Sequence, residues 1–455
     1  MICHTLSKGA AGMTVVEAYA DFAAGFVREP LSPSLAHHAK RAVIDWFAAL
    51  LPGAVVEPAT LLEKALSEEL GIGSAKLALG RHATARAAAL INGTAAHTVE
   101  VDDIYREAIY HPGAPTIAAA LAAAEASAAS GEKFLKSVIA GYEISTRIGA
   151  AMGRAHYKYW HNTGTIGTFG AAAAASCVYG LDAKTCAHAL ATAATRASGL
   201  QQAFRSDSMS KPLHAGHAAE SGLLAAMAAK EGVTGARDII EGEAGFGRAM
   251  GERPDFAPGI VTLGKDFNIA AMTVKNHACC GHTFAAIDGA LEVQRRLGAK
   301  AGDIARLRVE TYGEALHVAG NANPKTAAEA RFSLFYVVAT ALTHGSVRLA
   351  AFEDERLFDP LTRDLMAKTE AILDKAIDAD FPKARMARVT MELKDGRRET
   401  FLQPTRKGDP DMPLSDAELE EKFLELATPV IGPAKAEILL ERLWRLETSR
   451  TLDLH

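Results

Sequence analysis

The sequence predicts a mainly α protein: a large all-helical domain accompanied by a smaller α+β domain. Three observations carry this expectation. Alanine-rich stretches built from strong helix formers fill residues 31–230. Strand-like alternation first appears beyond Gly264. A helical pattern with acidic residues in its first turn returns after Pro413.

Taken in order, residues 35–51, 116–130 and 218–230 are too long for strands and are poor in β-branched residues. Ser32-Pro33 and Asp182-Ala183-Lys184 predict helix starts, while Gly131 and Gly180 predict helix stops. So much alanine implies a close-packed bundle, because a small side chain lets helix backbones approach. Residues 307–312 and 387–393 alternate apolar and polar side chains, and Lys394-Asp395-Gly396 supplies a turn after the second run. Helical patterns cover 283–297 and 327–343, completing an α+β domain. After the turn-rich stretch 404–413, residues 415–427 return to helix, with Asp416 and Glu418 in the first turn. The expected boundaries are 1–266 for the helical domain, 267–405 for the α+β domain, and 406–455 for a tail that packs back on the helical domain.

Composition narrows the function classes. With 49% hydrophobic and 23% charged residues the chain is ordinary globular material. A net charge of −5 argues against a nucleic-acid partner, which a basic excess would announce. The first twenty-two residues lack a basic stretch followed by an apolar core, so no secretory leader is expected. The most membrane-like stretch, 116–130, is alanine-rich and interrupted by Glu125, so no membrane span is expected either. Five cysteines without a CxxC pair predict reduced thiols, not a disulfide framework or a structural zinc site. A soluble, cytoplasmic protein is the expectation.

Four clusters could carry chemistry. In residues 92–103 a helix would place His97, Glu100 and Asp103 near one face, and Asp102, Asp103 and His111-Pro112 follow closely. Such groups suit proton transfer or metal binding, and equally a capped helix end with a solvated loop. His161 opens a glycine-spaced stretch leading into an alanine-rich helix, where backbone N–H groups could hold a carboxylate or phosphate. Its GxxGxxG spacing, with no strand before it, is not a Rossmann fingerprint, and close helix packing explains the glycines as well. Lys211-Pro212 stands just before a helix, a good anion seat, with His214 and His217 beyond it as metal ligands or packing residues. Finally, Lys275, His277, Cys279, Cys280 and His282 fall within one short stretch. There basic neighbours would lower the Cys280 pKa, or the two thiols are simply small buried groups.

The segments NGTAAHTVEVDD…HP, HNTGTIGTFG, SKPLHAGHAAESG, EGEAGFG, KNHACCGHTFAAID, EARFSLFYVVATALTHG and VTMELKDG…PLSDAELEEKF occur in this order between about residues 31 and 430. Together they resemble the MmgE/PrpD family, which includes 2-methylcitrate dehydratase, cis-aconitate decarboxylase and iminodisuccinate epimerase. The resemblance implies a helical domain made from the N-terminal part and the tail, an inserted α+β lid domain, a homodimer and no organic cofactor, while the lack of any convincing ligand spacing predicts no metal. It also implies a small polycarboxylate substrate. The family's site positions correspond to Asp102, Asp103, His111, His161 and Lys211 in the helical domain and to Lys275, Cys280, His282 and Tyr336 in the lid. Glu100 replaces the usual aspartate, Ile104 the usual threonine and Phe284 the usual histidine, and Cys280 stands near a histidine of the decarboxylase branch. The implied activity is a lyase, a dehydratase or decarboxylase working by acid–base proton transfer. An epimerase and a non-catalytic family member are the alternatives. His111, Lys211 and Lys275 are expected to share one anion pocket.

Overall fold

The computed structural model describes residues 12–204 and 208–454. The chain forms two compact units, one of residues 1–273 with 416–455 and the other of residues 274–415.

The first unit is helical. Its main helices are α1 (Val15–Phe26), α2 (Pro33–Ala54), α3 (Ala85–Thr98), α4 (Gly113–Ala126), α5 (Gly131–Tyr157), α6 (Asn162–Tyr179), α7 (Ala183–Ala194) and α8 (Ser210–Lys230). A short antiparallel pair, β1 (Leu70–Lys76) and β2 (His82–Ala83), precedes α3. Local sequence sets the ends. Ser32, Thr84, Ser130 and Asp182 each accept a backbone N–H from the first turn of the helix they precede. Gly180 closes α6 in the left-handed region, with φ 68°. Gly131, by contrast, begins α5 and does not end a helix, because Ser130 supplies the cap ahead of it.

Helix α6 is buried along nearly its whole length, with α8, α5 and α4 packed around it. Two glycines let α8 approach its neighbours closely. A Cβ on Gly216 would stand 2.2 Å from the Leu90 carbonyl oxygen of α3, and one on Gly222 would stand 2.6 Å from the Thr168 oxygen of α6. Alanine at either place would push α8 off a neighbouring backbone. The tail helix Asp416–Ile431 packs on α2. Its Lys422 is buried, pairs with Asp45 of α2, and donates to the Val101 carbonyl at 2.8 Å.

The second unit holds a four-stranded sheet in the order β4-β3-β5-β6, from β3 (Ile304–Thr311), β4 (Thr369–Leu373), β5 (Ala387–Leu393) and β6 (Arg398–Gln403). Strands β3 and β4 are parallel and the other pairs antiparallel, with Val309 opposite Val389 and Val389 opposite Phe401. The helix Phe284–Leu297 packs on β5 and β6. Ile304, Leu307 and Val309 are buried while Arg306 is exposed, the alternation of a half-covered sheet. The helical pattern at 327–343 resolves into two helices, Ala327–Ala330 and Leu334–His344, with Ser333 capping the second.

No single helix among the described residues is long and apolar enough to cross a membrane. The bent pair Pro33–Ala54 and Ala59–Ala65 passes on length and composition, and the first of these buries residues 42–54 inside the unit.

Candidate functional site

The site in the first unit starts where α3 stops. The expected continuation of this helix through Asp103 does not occur: α3 ends at Thr98, and Glu100 adopts φ 61°. A left-handed residue breaks the helical path, so His97, Glu100 and Asp103 leave the shared face. The loop that follows is pinned at both ends. Ile104 and Thr273 exchange backbone hydrogen bonds of 2.9 and 2.8 Å, and Tyr105 donates to the Tyr110 carbonyl at 2.7 Å.

This turn sends Asp102 inward between two imidazoles. His97 Nδ1 donates to Asp102 Oδ2 at 2.7 Å, and His111 Nδ1 lies 3.2 Å from the same oxygen. Burial opposes a charge on Asp102, but His111 and His97 outweigh it and hold the carboxyl well below its ordinary range. The ligand atoms of His97, Asp102 and His111 lie within 4.8 Å of one another, close enough to suit a cation. The His97–Asp102 separation, however, is that of a hydrogen bond. His97 Nε2, fully buried, has no hydrogen-bond partner among the described residues.

Asp103 points the other way. Its Oδ1 accepts from the Gly113 N–H at 3.0 Å and its Oδ2 from the Tyr142 hydroxyl at 2.8 Å. Burial, followed by the charge of Asp45, raises its pKa to about 8 against these donors. Two adjacent aspartates thus differ in kind: Asp102 is an anion beside imidazoles, and Asp103 a proton-holding brace at the start of α4.

His161 stands at the start of α6. Its ring stacks on His97, with centroids 5.4 Å apart, and meets Phe204 edge-on at 4.6 Å. Its Nδ1 lies 3.1 Å from His214 Nδ1. Burial, then His97, Lys211, His214 and His111, push its pKa well down, so the ring is neutral near pH 7. Lys211, in the first turn of α8, forms an ion pair with Glu100 and lies over the Phe204 ring, 5.0 Å from its centre. Burial opposes its charge, but Glu100 and then Asp102 raise its pKa. The glycines after His161 serve packing and not an anion seat: a Cβ at Gly164 would meet the Ser198 oxygen at 2.4 Å, and one at Gly167 would meet Pro115 at 2.6 Å.

Asp102, His111, His161 and Lys211 therefore converge in one unit. Sequence reading missed two partners. His97 was visible only as part of a polar cluster, and His214 only as one of two histidines on α8. The His161–His214 pairing has no sequence signal, since the two residues are 53 positions apart.

Lys275, Cys280, His282 and Tyr336 belong to the second unit. Lys275 is buried and Cys280 half-buried. The expected lowering of the Cys280 pKa is corrected: burial raises it, and the His282 N–H with Arg385 and Arg406 only partly offsets that. Cys279, half-buried beside Thr283, is pushed up to about 12, chiefly by desolvation. His282 Nδ1 lies 2.9 Å from the Tyr312 hydroxyl. Tyr336 is fully buried and donates its hydroxyl proton to the Ala351 carbonyl, so the tyrosine facing His282 is Tyr312, which the sequence did not single out.

Comparison with known proteins agrees with this architecture. The MmgE/PrpD N-terminal domain matches residues 17–259 and the MmgE/PrpD C-terminal domain residues 277–446. The cis-aconitate decarboxylase-like protein oryM of Aspergillus oryzae is 29% identical over 436 residues, 90% of each chain. Cis-aconitate decarboxylase of Homo sapiens is 30% identical over 373 residues, 79% of this chain and 76% of its own. The Mus musculus protein of the same name is 27% identical, covering 79% of this chain and 75% of its own. With both family domains matched in order along most of its length, the chain belongs to the MmgE/PrpD family.

Proposed function

We propose that this protein is a lyase that acts on a small di- or tricarboxylate by acid–base proton transfer, with decarboxylation the favoured reaction. The observation that carries this reading is the convergence of the Asp102 anion, four imidazoles and the Lys211 ammonium in a single largely enclosed cluster: Asp102, His97, His111, His161, His214 and Lys211. The family and the names of the relatives support the substrate class.

The chemistry needs three parts. A cation must hold a substrate carboxylate, and Lys211 supplies it once the carboxylate displaces or joins Glu100. A proton must be delivered to carbon, and the Asp102 carboxylate stabilises a proton on the nearby His111. A neutral imidazole must take a proton, and His161, crowded by Lys211 and other imidazoles, is kept neutral. In a decarboxylation His161 Nε2 takes the proton of the leaving carboxyl group, held as the acid, the C–C bond to that group breaks and carbon dioxide departs. The electron pair spreads into the adjacent unsaturated carboxylate, and the proton from His111 adds to carbon.

The test is a screen of cis-aconitate, citrate-like acids and aspartate-derived acids in deuterated water, followed by NMR and carbon dioxide release. One deuterium on carbon for each carbon dioxide released supports decarboxylation. Loss or gain of water alone would make the enzyme a dehydratase. Exchange of an α-proton with neither would make it an epimerase, and silence across the panel would overturn the reading.

A further inference from the structure

An imidazole nitrogen carries either a proton or a lone pair, so two of them in contact share one proton: one ring donates and the other accepts. His161 and His214 make such a contact, with Nδ1 atoms 3.1 Å apart. The surrounding backbone fixes the geometry. His161 N–H donates to the Gly199 carbonyl at 2.9 Å. A Cβ on Gly199 would come within 3.2 Å of the His214 ring, and one on Gly164 within 3.0 Å of the His214 Cβ. These two glycines leave space for His214 where larger residues would displace it. The charged or titratable groups around the pair are His97, His111, Lys211 and His217. Asp102 lies beyond His97 and His111, and Glu100 beyond Lys211, but burial and the neighbouring cationic or imidazole groups disfavour an additional positive charge and both rings rest neutral.

We propose that His214 is a positioning residue for His161, accepting its Nδ1–H and so keeping the His161 Nε2 lone pair for the substrate's proton. The inference rests on the reading of His161 as an acid–base group. When His161 Nε2 takes a proton, the Nδ1 proton crosses to His214 Nδ1. His161 is left neutral with Nε2–H, and His214, already protonated on Nε2, becomes the imidazolium. Returning the proton is the reverse of this step. The positive charge thus comes to rest one ring away from the reacting carbon.

Three variants of the full-length protein, His214→Leu, His214→Asn and His161→Asn, test this with cis-aconitate as the probe substrate. His214→Leu should lower kcat by roughly tenfold or more with little change in KM. It should also shift the acidic limb of the pH–kcat/KM profile downward, because His161 loses an acceptor that stabilises its protonated form. His214→Asn, which keeps an acceptor near the Nδ1 position but cannot take the proton, should hold the His161 tautomer and recover only part of kcat. Wild-type kcat and an unmoved limb in His214→Leu, with His161→Asn inactive, would overturn this inference alone. Wild-type activity in His161→Asn would overturn the role of His161 as well. Nitrogen-15 NMR of histidine-labelled wild-type protein decides independently of turnover and of variant folding. Once the His161 signals are assigned by their loss in His161→Asn, they should show a protonated Nδ1 and an unprotonated Nε2. The opposite tautomer would refute the proposal.

Discussion

His97 donates to Asp102 across 2.7 Å, with the two side chains 0% and 2% exposed, and a second imidazole, His111, approaches the same carboxylate oxygen at 3.2 Å. The 2.7 Å contact is a hydrogen bond, so His97 Nδ1 spends its proton on the carboxylate and offers no lone pair to a metal at that nitrogen.

Activity should therefore survive dialysis against EDTA, assayed on whichever acid the screen identifies. Loss of turnover that one specific metal restores would show that the three groups hold an ion instead.

Lys211 is the cation expected to bind a substrate carboxylate. Replacing it by alanine should reduce kcat/KM by about 1.5–3 kcal/mol, roughly 10- to 150-fold, with the melting temperature nearly unchanged. If Lys211 only balances Glu100 near the surface, the change should stay within about 0.5 kcal/mol. Steady-state kinetics distinguishes the two outcomes.

Stability should decline on the alkaline side of neutrality. Asp103 titrates near 8 and Glu143 near 7 in the folded protein, both raised chiefly by burial. Each folded-state group holds a proton that the unfolded chain has already released, so this contribution is lost as pH rises through the folded values. His156 and His214, lowered to about 4 mainly by burial, act with the opposite sign, and their contribution is lost as pH falls from about 6.5 to 4. Between pH 4 and 6.5 the two sets oppose each other, and above 6.5 only the acids remain. Thermal melts should fall between pH 6.5 and 8.5, and Asp103→Asn should flatten that fall. A wild-type slope in the variant would assign the effect elsewhere.

Lys422→Met should be strongly destabilising, by about 3–5 kcal/mol, because it leaves the Asp45 carboxylate buried without its ammonium partner. Adding Asp45→Leu should recover much of the loss. Urea unfolding of the single and double variants measures both terms, and a loss under about 1 kcal/mol for the single variant would contradict the burial of this pair.

A homodimer is expected from the family resemblance and from the alanine-rich helical unit. Light scattering at micromolar concentration should return twice the chain mass, and the monomer value would refute it.

Much of the fold was legible because its signals are local. Ser32 and Asp182 cap the helices they were expected to start, Gly180 closes one, and Lys394-Asp395-Gly396 joins β5 to β6. Part of the site was legible for the same reason, since Asp102, His111, His161 and Lys211 each sit at a helix end or turn. What escaped depends on long-range packing. Glu100 looks helical until its left-handed backbone ends α3 early. Gly164 looks like part of an anion seat until the backbone at Ser198 is seen to lie where its Cβ would be. Lys422 is one lysine among the charges of an amphipathic tail helix, and nothing nearby in the chain marks it as buried.

The pairing of Lys422 with Asp45 also sets a timetable for biosynthesis. The two residues are 377 positions apart, and at about 5–20 residues per second the ribosome needs roughly 20–75 s to make the second after the first. Through that interval Asp45 lacks its ammonium, and the Val101 carbonyl, one residue before Asp102, lacks its donor. The first helices can form early, but the loop that bears the acidic pair is locked only when the tail helix arrives. The nascent helical unit therefore waits, with the face of α2 that meets Lys422 uncovered, until the tail helix has been translated.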